Sequence, residues 1–234
     1  MIEHLYDTHY HLDLQKDRSA AVRAIEENRI YTIAVTNLPD LYLKESMEIV
    51  SKYIRIAPGF HPELVHLYKQ QIPLMWNLLP EVRYIGEVGL DFSDRTYEKE
   101  QLAFFYELVE RCRYDSNKVF TIHSRRAVGQ VLNAIGDNFR FKAILHWFTG
   151  NRNELERAVE LGCYFSINEA MLKSKKFLEM LPIIPSSRIL IETDSPFIPQ
   201  KGSHAEMLCS IQSSLRKSNP NIDVWLNFRR LLGE

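Results

Sequence analysis

The chain has 234 residues, of which 45% are hydrophobic and 25% charged, and its formal net charge at pH 7 is −1. This composition is typical of a globular protein, and the length suits one large domain. The near-zero charge excludes a general electrostatic attraction to nucleic acid or to a membrane surface, so a contact with a polyanion must come from a local patch or a bound metal ion.

The cysteines and the N-terminal residues bear on cellular location. The three cysteines are an odd number without a closely spaced pair, which is typical of free thiols and not of a redox or zinc motif. The first ten residues lack the apolar segment of a signal peptide, and no apolar run has the length of a membrane span. We therefore predict a protein of the reducing cytoplasm without a membrane partner.

Short apolar runs alternate with helical patterns along the chain. The candidate strands are Glu3–Asp7, Tyr31–Thr36, Ile54–Gly59, Tyr84–Val88, Val119–Ile122, Ala143–Leu145, Cys163–Ile167 and Ile189–Glu192. The clearest candidate helices are Ala20–Glu27, Glu98–Arg113, Val128–Ile135, Leu155–Leu161, Ala205–Lys217 and Asp223–Leu232. Most of the strands are apolar throughout, as expected when helices cover a parallel sheet. Eight such units predict an α/β fold, a single (β/α)8 TIM barrel domain over residues 1–234, with an open doubly wound sheet as the alternative.

Six residues that can bind a divalent cation lie late in these strands or just after them. His9 and His11 form a His-x-His pair whose side chains point to the same side of an extended chain. Glu87 is a carboxylate inside an apolar strand, which is costly unless it is paired or bound to a metal, and glycines flank it. The remaining three candidates follow the ends of strands: His123, His146 and Asp194.

The prediction of a metal centre depends on the combination, since each residue alone has an ordinary structural explanation. All strands of a (β/α)8 barrel end at one face, where active sites lie. Four imidazoles and two carboxylates without a thiolate suit Zn, Mn, Fe or Mg. They suffice for two ions about 3.5–4 Å apart that share one carboxylate. The sequence therefore predicts a metal-dependent hydrolase, with Asp7 and Asp91 as supporting carboxylates.

The segments around these residues resemble the TatD-like deoxyribonucleases, a family of amidohydrolase-type metal barrels. The similar segments are Asp7–Leu12, Gly59–Pro62, Ile85–Asp91, Ile122–Arg125, His146–Gly150 and Ile191–Pro196. By this resemblance, one divalent ion (Mg, Mn or Zn) is held by His9, His11 and Asp194. The second ion is held by His123 and His146, and Glu87 bridges the two.

The same resemblance implies a nucleic-acid substrate. Members of the family hydrolyse DNA phosphodiesters, often from a 3′ end, so the expected partner is DNA, in single-stranded form; protein partners are undetermined. His61 would face the substrate phosphate. Arg125 would steady that phosphate or form a buried structural ion pair. The predicted catalytic residues are Glu87, His61 and Asp194. Asp194 is a predicted metal ligand with a second carboxylate oxygen that can accept a proton. Divergent members also occur in bacterial antiphage gene clusters.

Three departures from the family pattern bear on the substrate. Glu63 stands where a second histidine usually follows His61, Arg126 replaces an acidic residue, and Lys201–His204 replaces an Arg-Asn-x-Pro-type segment. Two other functions therefore stay open. One is a related hydrolase of a small amide or lactone, and the other is a weakly catalytic scaffold that binds partner proteins.

Basic and aromatic residues beside the proposed ligands have less specific roles. A lysine run is more typical of a solvated helix face than of a nucleic-acid contact. The aromatic neighbours of the ligands could stack on bases, although packing at the barrel rim is the expected role. The remaining histidines are expected to be structural or exposed. The lysine run consists of Lys173, Lys175 and Lys176, and the aromatic neighbours are Tyr10, Trp147 and Phe148. The remaining histidines are His4, His66 and His204.

Overall fold

A computed structural model describes residues 4–199 and 202–233, so Glu3 of the first candidate strand and Lys201 lie outside the described residues. The strands are β1 Tyr6–Tyr10, β2 Tyr31–Val35, β3 Ile54–Ala57, β4 Tyr84–Gly89, β5 Val119–His123, β6 Lys142–His146, β7 Tyr164–Ile167 and β8 Ile189–Ile191. The helices are α1 Arg18–Asn28, α2 Pro39–Glu48, α3 Ile72–Leu78, α4 Glu98–Cys112, α5 Val128–Ile135, α6 Arg152–Glu160, α7 Glu169–Lys173, α8 Lys175–Met180, α9 His204–Ser218 and α10 Val224–Leu232.

The eight strands are parallel and follow one another in sequence order. β1 to β3 form one hydrogen-bonded sheet, and β4 to β8 form a second. Backbone hydrogen bonds cross both seams: Gly86 N–H donates to Pro58 O over 3.1 Å, and Asp194 N–H donates to His9 O over 3.1 Å. An open doubly wound sheet would reverse its strand order at a switch point. The observed order contradicts that alternative and agrees with the predicted (β/α)8 TIM barrel.

Helix α4 illustrates how the apolar pattern sets the outer layer of the barrel. The spacing of Phe105, Leu108 and Val109 places them on one face of the helix, and all three side chains are fully buried. Burying each such side chain contributes about 1.5–3 kcal/mol relative to exposure. The helical layer is therefore held on the strands mainly by apolar contacts that the sequence spacing predicts.

The first strand lies further along the chain than predicted. β1 pairs with β2 from Tyr6 to Tyr10, so His9 lies within the strand and not beyond its end. The prediction stopped at Asp7 because the next residues are polar. Their polar groups are nevertheless satisfied inside the barrel: Thr8 Oγ1 donates to Ile191 O over 3.0 Å. Tertiary hydrogen bonds thus allow a polar segment to continue a buried strand.

Glycines let β4 approach its neighbours closely. A Cβ at Gly86 would lie 2.1 Å from Thr121 Cγ2, and a Cβ at Gly89 would lie 2.0 Å from His123 O. On the other side, a Cβ at Gly59 would lie 2.4 Å from Glu87 N. No side chain fits these contacts, so the glycines that flank Glu87 bring its backbone against β5, as their pattern predicts.

Four helices have no counterpart among the predicted ones, namely α2, α3, α7 and α8. Each is ten residues long or shorter, and a short amphipathic pattern is difficult to separate from a loop. Within residues 4–199 and 202–233, none of the helices combines the length and the apolar character that crossing a bilayer requires. No disulfide joins Cys112, Cys163 and Cys209, all of which are described.

Candidate metal centre

The structure brings all six predicted ligands into one cluster at the carboxyl ends of the strands. They come from β1, β4, β5 and β6 and from the segments that follow β1 and β8. Five of the six side chains are nearly or fully buried, and that of His123 is 15% exposed. The six residues are His9, His11, Glu87, His123, His146 and Asp194.

One half of the cluster consists of His9, His11 and Asp194. The Nε2 atoms of His9 and His11 lie 3.8 and 3.5 Å from Oδ1 of Asp194. All three atoms are buried and have no hydrogen-bond partner among the described residues. Leaving a buried polar atom unpaired costs about 1–3 kcal/mol. A cation bound by the three atoms would remove that cost, so this half of the cluster fits a metal ion.

The tautomer of His9 also suits a metal ligand. Its Nδ1 lies 2.5 Å from the hydroxyl oxygen of Thr121 on β5. When Nδ1 carries the proton and donates it to this oxygen, Nε2 has a free lone pair directed at the cluster. The Thr121 hydroxyl therefore orients the His9 ring, a role that the sequence did not indicate.

The other half of the cluster is built around Glu87. Its Oε1 lies 2.7 Å from Nδ1 of His123 and 3.1 Å from Nε2 of His146, and these two nitrogens are 3.4 Å apart. Its Oε2 lies 3.6 Å from Nε2 of His11. The two oxygens of one carboxylate thus face the two halves of the cluster. This geometry suits a carboxylate that bridges two cations.

For Glu87 and His9 the surroundings favour the protonation state that binds a cation. Burial opposes ionisation of Glu87, but the imidazoles of His61, His123 and His146 hold its pKa well below its ordinary value. Burial, together with the neighbouring His146, lowers the pKa of His9 well below its ordinary value. The carboxylate is therefore charged and the His9 imidazole neutral, as metal binding requires. Burial lowers the pKa of His146, but the neighbouring carboxylates outweigh this effect and raise it, so a cation would have to displace a proton there.

His61 belongs to the same cluster. Its Nε2 lies 3.7 Å from Oε1 of Glu87, and its ring centroid lies 4.9 Å from that of His123. Its Nδ1 accepts a hydrogen bond from the backbone N–H of Glu63 over 3.3 Å, so the departure at position 63 leaves this contact intact. Burial lowers the pKa of His61 to about 4, so its ring is neutral at pH 7. Because Nδ1 accepts this hydrogen bond, the neutral ring carries its proton on Nε2, so the position suits donation to a substrate oxygen.

Glu192 is a carboxylate of the site that the sequence interpretation missed. It is fully buried, and its Oε1 lies 3.6 Å from Nδ1 of His146. The same oxygen accepts hydrogen bonds from the backbone N–H of Trp147 over 3.0 Å and from Nδ2 of Asn168 over 2.9 Å. The argument that selected Glu87, a carboxylate in an apolar strand, also applies to Glu192.

Two other carboxylates hold the ligands in place. Asp91 Oδ2 lies 2.8 Å from Nε2 of His123, which leaves Nδ1 of that ring facing Glu87. Asp7 accepts a hydrogen bond from the backbone N–H of His9 over 3.1 Å and pairs with Nε2 of His204 at 2.8 Å. His204 is therefore buried and structural, one of the two roles expected for it. Such supporting contacts fix ring orientation around a metal site.

A cavity of about 400 Å³ opens onto the cluster. Glu87, Asp194, Arg125, Trp147 and Phe197 are among the residues that line it. Arg125 is exposed, and among the described residues no carboxylate forms an ion pair with it. The structural alternative for Arg125, a buried ion pair, is thus wrong, because the residue is exposed where it lines the cavity.

The other predicted contacts differ in outcome. Tyr10 stacks on His204 and Phe148 packs on Phe165, and both are buried, so their role is packing, as expected. Trp147 is half-buried and faces the cavity. Lys173 forms an ion pair with Glu169 on the exposed face of α7, in agreement with the solvated-face prediction.

Two residues of the site have a strained backbone conformation. Asp194 and Trp147 have φ angles of 50° and 39°, in the left-handed region that favours glycine. Such conformations cost about 1–3 kcal/mol and persist where the surroundings impose them. Asp194 is buried, and its Oδ1 faces His9 and His11 in the cluster.

Comparisons with known proteins agree with this description. A family model for TatD-related DNases matches residues 6–218. The 3′–5′ single-stranded DNA/RNA exonuclease TatD of Pantoea vagans is 31% identical over 194 residues, covering 78% of this chain and 74% of the relative. An uncharacterised metal-dependent hydrolase of Bacillus subtilis is 26% identical over 218 residues, covering 86% and 85%. The crystal structure of the TatD homologue YjjV from Escherichia coli superposes with a TM-score of 0.77 at 21% identity, covering 99% and 98%.

The barrel and its histidine–carboxylate cluster define a metal-dependent hydrolase that acts on ester bonds. Within that class, the family match covers nearly the whole chain and includes all six predicted ligands. The chain belongs to the family of TatD-related DNases.

Proposed function

We propose that this protein is a two-metal exonuclease that removes nucleotides from the 3′ end of single-stranded DNA. The observation that carries the proposal is the position of Glu87. Its Oε1 faces His123 and His146 and its Oε2 faces His11, so one carboxylate contacts both halves of the cluster. By this proposal, His9, His11 and Asp194 hold one divalent ion and His123 and His146 hold the other. Residues 1–234 would act as one barrel unit.

The side chains around the cluster have distinct proposed roles. When bound, two divalent ions lower the pKa of a water molecule and neutralise charge that develops on the phosphate. Oδ1 of Asp194 lies 3.8 and 3.5 Å from the Nε2 atoms of His9 and His11. The second carboxylate oxygen of Asp194 can accept the proton of the attacking water. Arg125, which has no ion-pair partner among the described residues and lines the cavity, can bind a phosphate oxygen, and so can His61, whose Nε2 lies 3.7 Å from Oε1 of Glu87.

The shape of the site supports an unpaired strand as substrate. Glu87 and Asp194 are 3% and 2% exposed at the base of the cavity. For the terminal phosphodiester to reach them, the end of the strand must separate from its complement and enter the cavity, and this costs least at an end that is already unpaired. The Pantoea vagans relative, named as a single-stranded DNA/RNA exonuclease, supports the same substrate and keeps RNA as a possible second one. A cytoplasmic location and a role in antiphage defence stay predictions from the sequence.

The test is hydrolysis of single-stranded DNA labelled at its 5′ end, with Mg²⁺ or Mn²⁺ as the only divalent ion. We expect a ladder of products that shortens from the 3′ end, and little cleavage of the blunt duplex of the same sequence. His123→Ala serves as the inactive control, since a contaminating nuclease would survive that substitution. Intact DNA together with turnover of lactones or amides would favour the related small-molecule hydrolase. No turnover with stable co-purifying proteins would favour the scaffold.

Glu192 provides a further test of the assignment. Replacing Glu192 by Gln keeps the side-chain volume and a carbonyl oxygen for Trp147 and Asn168 but removes the charge beside His146 Nδ1. Loss of such a supporting carboxylate lowers metal affinity by about 10–100-fold. We expect that decrease in a competition titration with a chromophoric chelator, with the thermal unfolding temperature of the metal-free protein little changed. Glu156→Gln, an exposed carboxylate on α6, is the matched control. Equal affinities in the two variants would contradict the positioning role of Glu192.

A further inference from the structure

Phe197 is a large apolar side chain that is exposed beside the metal cluster. It is 58% exposed and lines the same cavity as Glu87, Asp194 and Arg125. The imidazole of His11 holds the Phe197 ring on one side. The two rings are nearly perpendicular, at 84°, and their centroids are 4.9 Å apart. A single exposed aromatic residue is ordinary on a protein surface. Its place in the wall of the active cavity is what requires an explanation.

The backbone holds Phe197 at a fixed distance from Asp194. Its N–H donates to the carbonyl of Asp194 over 2.9 Å, and the N–H of Ile198 lies 3.4 Å from the same oxygen. The turn through Ser195 and Pro196 therefore places the ring three residues after a proposed metal ligand. An aromatic side chain held in this way loses little conformational freedom when a ligand binds against it.

Trp147 contributes a second aromatic wall to the same cavity. Its backbone N–H is held by Glu192 at 3.0 Å, and its positive φ angle directs the residue away from the line of β6. Among the ring contacts within the described residues, none joins Trp147 to Phe197, so the two rings are not packed on one another. The cavity thus has two aromatic surfaces and one unpaired guanidinium, that of Arg125, next to the ligand cluster.

We propose that Phe197 is the surface on which the base of the terminal nucleotide stacks, with Trp147 as the second wall of this base subsite. This inference rests on the proposed nuclease function and adds the residue that holds the leaving nucleotide. Aromatic rings bind any base through its flat face, so the subsite selects an unpaired terminal base without selecting its identity. Removing one stacking ring weakens binding by roughly 5- to 150-fold.

The other aromatic residues near the ligands do not offer such a surface. Tyr10 and Phe148 are each 2% exposed, and both are covered by packing partners. Among the described residues that line the cavity, Phe197 is the aromatic residue that is mostly exposed. Asp194, the proposed general base, lies three residues before it in the chain. The sequence analysis did not select it, because an aromatic residue after a proline is not distinguishable from a packing residue by pattern alone.

The experiment uses the metal-loaded protein and a single-stranded oligonucleotide that ends in 2-aminopurine at its 3′ position, with a phosphorothioate at the last linkage to slow hydrolysis. Stacking quenches the fluorescence of 2-aminopurine. We expect quenching on binding to the wild type, and loss of the quenching with a Kd about 5- to 150-fold higher for Phe197→Ala. Phe197→Leu keeps an apolar contact with His11 but has no ring, so it should behave like the alanine variant. Phe197→Tyr should restore quenching.

Tyr114→Ala is the matched control, since Tyr114 is 70% exposed in the turn that precedes β5, at the opposite end of the barrel. Equal quenching in the wild type and in Phe197→Ala, or none in the wild type, overturns the base subsite. The same wild-type sample is assayed on unmodified DNA. Quenching that depends on Phe197 without DNA cleavage would retain the subsite and reject the nuclease function. Cleavage without such quenching would retain the nuclease function and reject the subsite.

Discussion

Replacing Glu87 by Gln should lower kcat/KM on single-stranded DNA by about 10²–10³-fold, the scale of losing one oriented electrostatic contact at a reacting centre. The carboxylate presents Oε1 to His123 and His146 and Oε2 to His11. A carboxamide has one oxygen and an N–H₂ group, which cannot face a cation. The substitution therefore removes one contact from at least one proposed ion and the shared charge from both. The rate is measured at saturating metal, and bound metal is counted by elemental analysis.

The fold of this variant should persist, because Gln has nearly the same volume as Glu and can still bond to the imidazole of His123. Circular dichroism and thermal unfolding in the absence of metal check this point. Glu107→Gln, an exposed change on α4, is the control for loss of a carboxylate elsewhere. A Glu87→Gln protein that retains two ions and more than a tenth of the activity would remove Glu87 from the bridging position.

The fold was largely predictable because buried parallel strands are apolar along their whole length. Val119–His123 and Lys142–His146 begin and end within one residue of their predicted limits. β1 was misplaced because three polar residues inside it, Asp7, Thr8 and His9, interrupt the apolar pattern. Thr8 bonds to Ile191 and Asp7 to Thr193, which lie 183 and 186 positions away in the chain, and no local pattern reports such contacts.

The proposed ligands were predictable because they are polar residues that interrupt or follow apolar strands. A charged or metal-binding side chain at the end of an apolar strand is conspicuous, and the barrel topology then requires those ends to meet. Asp7 and Asp91 carry that signal as well, but two other supporting residues lack it. His204 pairs with Asp7 across 197 positions through the docking of α9, and Thr121 reaches His9 from the middle of β5. A threonine in a strand is ordinary, so only the fold identifies its contact.

Phe197 illustrates a third limit, since exposure is a property of the folded chain. The sequence Asp194–Ser195–Pro196–Phe197 predicts a turn but not the direction of the aromatic ring. The direction follows from the hydrogen bonds that return the turn to Asp194 and from the contact with His11. Substrate contacts are consequently less accessible to sequence patterns than the ligands beside them, although the two lie within one short segment.

Removing the metal should abolish hydrolysis and destabilise the barrel at the same time. Nε2 of His9, Nε2 of His11 and Oδ1 of Asp194 are buried without hydrogen-bond partners in the described structure, so the native state has a strong preference for a cation there. A ligand that binds only the native state at 100 times its Kd adds about 2.7 kcal/mol per site. For two occupied sites we expect a loss of about 5 kcal/mol on chelation, measured by urea unfolding with and without EDTA.

Restoring the ion should return both properties together, and Glu87→Gln should recover less of the stability because its ions share no carboxylate. These linked outcomes separate a resident metal centre from a nuclease that merely requires Mg²⁺ with its substrate. In the latter case EDTA would abolish hydrolysis but leave the urea midpoint unchanged, and the unpaired atoms of His9, His11 and Asp194 would need another partner. Agreement between the metal concentration that restores half the activity and the one that restores half the stability would assign both effects to the same cluster.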